Sequence, residues 1–149
     1  MTRRDLMSFA AAMPLASLAE TAAPVKLGID LFSLRSQKWT PFQYLDYCAK
    51  QQAKVVHFSE IRFIGSLEES NLKQVRAYAE KLNIEVEIGM RSICPSSKMF
   101  DAKAGTAEEQ LGRMITSAQT VGSRIVRAVL GSADDRKNGM LESHIEDTV

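Results

Sequence analysis

Five side chains stand where their types and positions could do chemistry: His57, Glu60, Glu87, Arg91 and Arg127. Imidazole is the side chain most easily poised for proton transfer near neutral pH and the commonest metal ligand, and His57 is one of only two histidines. A single histidine in an apolar run is also a common hydrogen-bonded core residue, so its neighbours matter. Glu85 and Glu87 are two apart and share a strand face, and a carboxylate buried there needs a partner. Arg127, in the next apolar run, is placed to supply an ion pair to Glu87. A metal held by His57, Glu60 and Glu87 alone would fall short of the ligand count such sites use. No Gly-x-Ser-x-Gly, Walker or His-Glu-x-x-His pattern is present. The second histidine, His144, lies among Glu142, Glu146 and Asp147 and reads as a surface residue.

These side chains need elements to hold them, and the chain supplies a regular rhythm. Lys26 to Leu31 has the length and apolarity of a buried strand. Thr40-Pro41 offers an N-cap and a first-turn proline, and Phe42, Leu45, Tyr47, Cys48 and Ala49 then recur at helical spacing up to Gln52. Val55 to Ser59 is β-branched and aromatic, a second strand. Leu72, Val75, Tyr78, Ala79 and Leu82 mark one helical face that stops at Asn83, and Ile84 to Gly89 forms a third strand at once. A loop from Met90 to Gly105 follows. Thr106 with Glu109 forms a capping box for a helix that Gly122 closes. Ile125 to Gly131 is the fourth strand, Ser132 to Gly139 a polar loop, and the chain from Met140 onward is helical.

Strand starts near 26, 55, 84 and 125 give one βαβ unit per repeat. Links from helix to strand are short, whereas loops from strand to helix are long. That asymmetry predicts an α/β fold of the (β/α) barrel, or TIM, type, whose active-site loops leave the C-terminal strand ends. His57 and Glu60, Glu87 and Arg91, and Arg127 then lie in or beside the ends of strands two, three and four. A doubly wound nucleotide-binding sheet would want a glycine-rich turn after the first strand, and Leu31-Phe32-Ser33-Leu34-Arg35 has no glycine. Eight units make a barrel and only four are read here, with Val149 inside the fourth helix. The chain is therefore expected to be a half-barrel fragment whose outer strand edges invite self-association.

The formal net charge is +1, with 19 basic and 18 acidic residues interspersed, so no field of one sign attracts nucleic acid. Cys48 and Cys94 are too far apart in sequence for a metal pair and are expected to be unpaired thiols. Residues 1–23 differ from the rest: Arg3 and Arg4 precede an apolar, alanine-rich run that ends in small residues at Ser17-Leu18-Ala19. This order is that of a removable leader, similar to a twin-arginine signal peptide, which implies export to the periplasm or beyond. The run is too short for a membrane-spanning helix, which needs about 20 apolar residues.

Residues 24–149 resemble the N-terminal half of the xylose isomerase-like TIM-barrel superfamily, the sugar phosphate isomerase/epimerase proteins. The segments that carry the resemblance are Val56-His57-Phe58-Ser59-Glu60, Glu87-Ile88-Gly89-Met90-Arg91-Ser92, Gly105 to Leu111 and Ile125 to Gly131. The resemblance implies a sugar or sugar phosphate as the small-molecule partner. It also implies a divalent metal (Mn, Mg or Zn) in the full-length family that polarises substrate oxygens during proton transfer. In that family the metal ligands come from later strands, so the resemblance implies no metal ligand within these residues. It leaves His57, Glu60, Glu87, Arg91 and Arg127 as pocket positions.

Overall fold

A computed structural model describes residues 25–148, and the leader expected over 1–23 lies outside them. Strands β1 (Gly28–Asp30), β2 (Val55–Phe58), β3 (Glu85–Ser92) and β4 (Val126–Val129) alternate with helices. The helices are α1 (Pro41–Lys50), α2 (Ile61–Ile64), α3 (Glu69–Lys81), α4 (Ala107–Val121), α5 (Ala133–Lys137) and α6 (Leu141–Glu146). All neighbouring strands are parallel and their order is β1-β2-β3-β4, so each strand pairs with the next one in sequence. The fold is α/β with a four-stranded, wholly parallel sheet.

The core lies between that sheet and the long helices. Val56, Phe58, Val86 and Ile88 from the strands join Leu45 and Cys48 of α1, Leu72 and Val75 of α3, and Met114 and Val121 of α4 in one cluster. Alternation along β2 and β3 sends His57, Glu87 and Gly89 to the opposite face. There Asp30, Glu87 and Arg127 keep 43, 36 and 44% of their side-chain surface exposed, a charged and solvent-facing surface.

The expected capping box at Thr106 forms, and the expected N-cap at Thr40 is a capping box as well. The Thr40 side chain accepts from the Gln43 amide and the Thr106 side chain from the Glu109 amide, with the reciprocal bonds present. The three long helices also end alike. After α1, Ala53 N–H donates to the Cys48 carbonyl and Gln52 N–H to Ala49; after α3, Ile84 donates to Ala79 and Asn83 to Glu80; after α4, Ser123 donates to Ala118 and Gly122 to Gln119. These are Schellman closures, and they require left-handed backbone at Gln52 (φ 60), Asn83 (φ 54) and Gly122 (φ 82). Each chain reversal into the next strand is thus set by local hydrogen bonds, which explains the short links.

The structure departs from the sequence reading in five elements, one of them β4, which is confined to Val126–Val129 within the expected strand from Ile125 to Gly131. β3 runs to Ser92 rather than Gly89, because Met90 and Ser92 pair with Ala128 and Val129 of β4. The expected strand over 26–31 is short, since the Asp30 carboxylate accepts from Phe32 N–H at 2.8 Å and starts a 3-10 turn at Leu31. α2 follows β2 directly. The loop expected over Ser132–Gly139 holds α5, started by a capping box between Ser132 and Asp135. Among the described residues, no helix is long and apolar enough to cross a membrane.

Candidate functional site

Strand register assembles a polar row on the solvent-facing side of the sheet. Asp30 pairs with His57, and His57 with Glu87, so three adjacent strands present the three residues side by side. Arg127 stands opposite Gly89, two positions further along. Its guanidinium Nε donates to His57 Nε2 at 2.9 Å, and its terminal nitrogen lies 3.9 Å from Asp30 Oδ2. On the other side of the imidazole, Nδ1 is 3.4 Å from Glu87 Oε2, without full hydrogen-bond geometry. A guanidinium can only donate, so Nε2 accepts and the imidazole is neutral with its proton on Nδ1, facing the Glu87 carboxylate. Gly89 makes room for this ring: a Cβ there would lie 3.1 Å from His57 Nε2 and 3.0 Å from the Ser59 carbonyl.

The charges around His57 compete. Burial pushes its pKa down, Arg127 adds to that, and Asp30 and Glu87 oppose without prevailing, so the net shift is below the ordinary histidine value and favours the neutral ring. The Asp30 pKa is lowered as well, which for a carboxyl favours the charged form. Burial alone would raise its pKa, but the adjacent Ser59 hydroxyl, the Phe32 amide, His57 and Arg127 together hold the carboxyl below its ordinary value. An ionised carboxylate, a guanidinium and a neutral imidazole thus lie in a line.

A cleft of about 190 Å³ opens at the C-terminal ends of the strands, lined in part by Asp30, Ser59, Glu60, Arg91 and Arg127. A second cleft of about 300 Å³ continues from it and shares Glu60, Met90 and Arg91 with the first. Ser59 and Glu60 both reach the cleft because β2 ends at Phe58 and the chain turns, with Ser59 N–H donating to the His57 carbonyl at 3.0 Å. Glu60 is held 3.0 Å from the Arg62 guanidinium. Ser59 is 1% exposed, and its hydroxyl makes no full hydrogen bond among the described residues.

Of the five residues singled out in the sequence, Glu60, Arg91 and Arg127 line the clefts, whereas His57 and Glu87 stand behind Arg127 in the row. The ion pair expected between Glu87 and Arg127 does not form. Arg127 lies two positions too far along β4 to meet Glu87, so it reaches His57 and Asp30 while Glu87 reaches His57 from the other side. His144, expected at the surface, is 4% exposed. α6 folds back over the end of β4, where Gly131 leaves space for the imidazole, and the Cys94 thiol donates to the His144 carbonyl at 3.6 Å. Cys48 and Cys94 are both buried free thiols. Sequence reasoning missed Asp30 and Ser59. Asp30 carries the same signal as the others, a charged residue at a strand's C-terminal end.

Among the described residues, no three histidine, cysteine or acidic side chains group to hold a metal ion. The row itself does not fit a divalent cation, because the Arg127 guanidinium already occupies the Nε2 lone pair of His57. Searches of protein-family models, curated proteins and solved structures find no match to this chain.

Proposed function

We propose that this chain is the N-terminal, substrate-holding half of an exported xylose isomerase-like (β/α) barrel that acts on a sugar or sugar phosphate. The observation that carries the reading is the Asp30–Arg127–His57–Glu87 row beside a small cleft at the C-terminal strand ends, where barrel enzymes work; charged and polar side chains enter that cleft among Phe32, Met90, Met99 and Val129. A strand order that never reverses and the shared Schellman closures support a repeating barrel unit. The cleft wall carries both acceptors and donors: the Asp30 and Glu60 carboxylates accept, while Ser59 and the free N–H groups of Arg127 donate. That pattern suits a polyhydroxyl ligand, each of whose hydroxyls both donates and accepts. His57 and Glu87 act as positioning residues, since they fix the guanidinium that meets the ligand.

In this reading metal-assisted proton transfer belongs to the second half of the barrel, and these residues bind and orient. Titration of the full chain with fructose, followed by amide NMR shifts, should move resonances of Asp30, Ser59 and Arg127 at millimolar sugar. Absence of any shift there refutes the sugar reading. Isomerase turnover by this chain alone with Mn²⁺ or Mg²⁺ would show instead that its own residues suffice. Export is tested by fusing residues 1–23 to a reporter that is active only after twin-arginine transport.

One feature of the sheet favours a second reading, a non-catalytic half-barrel that associates with a copy or a complementary fragment. Apolar side chains are exposed beside both outer strands, Leu27 and Phe32 flanking β1 and Ile125 and Leu130 flanking β4. Sedimentation separates the two: a closed dimer at micromolar concentration supports association, and a monomer refutes it.

A further inference from the structure

The two clefts meet at one cation. Arg62, Arg91 and Arg127 are the basic residues that line them. Arg62 is neutralised by Glu60 at 3.0 Å, and Arg127 is engaged by His57 and Asp30. The guanidinium of Arg91 has neither an ion pair nor a hydrogen bond among the described residues, although it lines both clefts. The nearby carboxylates are committed elsewhere: Glu60 to Arg62, and Asp101 to the Lys103 amide at 3.1 Å.

The backbone puts Arg91 there by a specific device. Met90 pairs with Ala128 and Ser92 with Val129, so two steps along β3 match one step along β4 and Arg91 is the extra residue of a β-bulge. A bulge twists the strand and re-aims the side chain it inserts, and bulges gather beside binding sites. Its neighbours are fixed on both sides: Met90 is 3% exposed in the core, and Ser92 is 1% exposed, its hydroxyl donating to the Leu130 carbonyl at 2.5 Å. The bulge is therefore held by packing, and the guanidinium it presents is not spent on the protein.

We propose that Arg91 is the anion subsite of this pocket: it binds the phosphate of a phosphorylated sugar whose hydroxyls lie along Asp30, Ser59 and Arg127. The proposal rests on the sugar-binding reading above and selects the phosphorylated over the neutral substrate. A guanidinium offers a planar fork that matches two phosphate oxygens, and a charge-assisted pair of this kind favours the charged ligand by about 10- to 100-fold.

The test titrates the full chain at physiological salt with fructose 6-phosphate, fructose and inorganic phosphate, following amide and Arg Nε–H resonances. Fructose 6-phosphate should bind at least about tenfold tighter than fructose. Arg91→Gln should reduce that preference to about one without weakening fructose, and Arg91→Lys should keep part of it. Equal affinity for the two sugars, or a preference that survives Arg91→Gln, overturns the proposal. Should Arg91→Gln fail to fold, the wild-type Arg91 Nε–H resonance decides: a shift on adding phosphate supports the subsite, and its absence overturns it. Equal, Arg91-dependent binding of inorganic phosphate and fructose 6-phosphate, with no response to fructose, would keep the anion subsite while refuting the sugar reading.

Discussion

Replacing Gly89 with alanine tests the polar row at its tightest point. A Cβ at this position would lie 3.0 Å from the Ser59 carbonyl oxygen, 3.1 Å from the Arg127 carbonyl oxygen and 3.1 Å from His57 Nε2. Two of these neighbours are backbone carbonyls, of Arg127 in β4 and of Ser59 just beyond β2, that cannot rotate away, so the backbone and the imidazole must both give by a few tenths of an ångström and the 2.9 Å bond from Arg127 to the ring is strained. Overpacking of this kind costs about 1–3 kcal/mol, and alanine recovers about 0.5–1 kcal/mol of the chain entropy that glycine loses in a strand. The net expectation is a loss of about 1–2 kcal/mol, or a fall in Tm of about 3–8 °C for a domain of this size. Urea unfolding with calorimetry measures the stability, and NMR titration of His57 reports the row. With the ring pushed away from Arg127, the His57 pKa should rise toward the ordinary histidine value, because burial still lowers it but the neighbouring positive charge opposes protonation less. A Gly89→Ala protein with unchanged or raised Tm and an unaltered His57 titration would refute the close approach and the hydrogen bond together.

Three further outcomes follow from the same geometry. Gln52 carries a side chain in left-handed backbone, which costs an L-residue about 1–2 kcal/mol, so Gln52→Gly should stabilise by about 0.5–1 kcal/mol in urea unfolding; Asn83→Gly should gain less because asparagine tolerates that conformation, and a loss at Gln52 would refute the Schellman assignment. His57 has a lowered folded pKa, so between that value and about 6.5 the unfolded chain binds more protons than the native one, and stability must rise with pH across this window and fall on acidification through it. The urea midpoint should therefore drop between pH 7.5 and 5.5 in the wild type and stay flatter in His57→Gln, while a wild-type midpoint that does not move contradicts the burial of a neutral ring. Burial pushes the Cys48 thiol up to about 11 and raises Cys94 as well, leaving about one Cys48 in a thousand as thiolate at pH 8. A thiol-disulfide reagent should label neither cysteine until guanidinium is added and both afterwards, and rapid labelling of the native chain would overturn the buried-thiol assignment.

The features legible in the sequence are those encoded within one turn of chain. Thr40 with Pro41 and Thr106 with Glu109 start their helices through residues at most three apart, and the helix stops at Asn83 and Gly122 are equally local. The partner of Arg127 was not legible, because it depends on register across strands. A shift of one pair along β4 would have set Arg127 beside Ile88 rather than Gly89, and no residue near 127 encodes which pairing wins. The burial of His144 likewise depends on α6 folding back onto the end of β4, a contact between residues that share no helical or strand period. A sequence clue to both histidines exists nonetheless, and it lies in the glycines rather than the histidines. Gly89 sits inside a strand and Gly131 just beyond one, positions where a residue without a side chain signals close approach by another group. Each glycine has a histidine against it, His57 over Gly89 and His144 beside Gly131. In a chain with only two histidines, two glycines in or just beyond strands, each with an imidazole where its side chain would be, are the signal that both rings are built into the fold. Of the two rings, only His57 also has charged partners on both sides, and that separates the site histidine from the packing one.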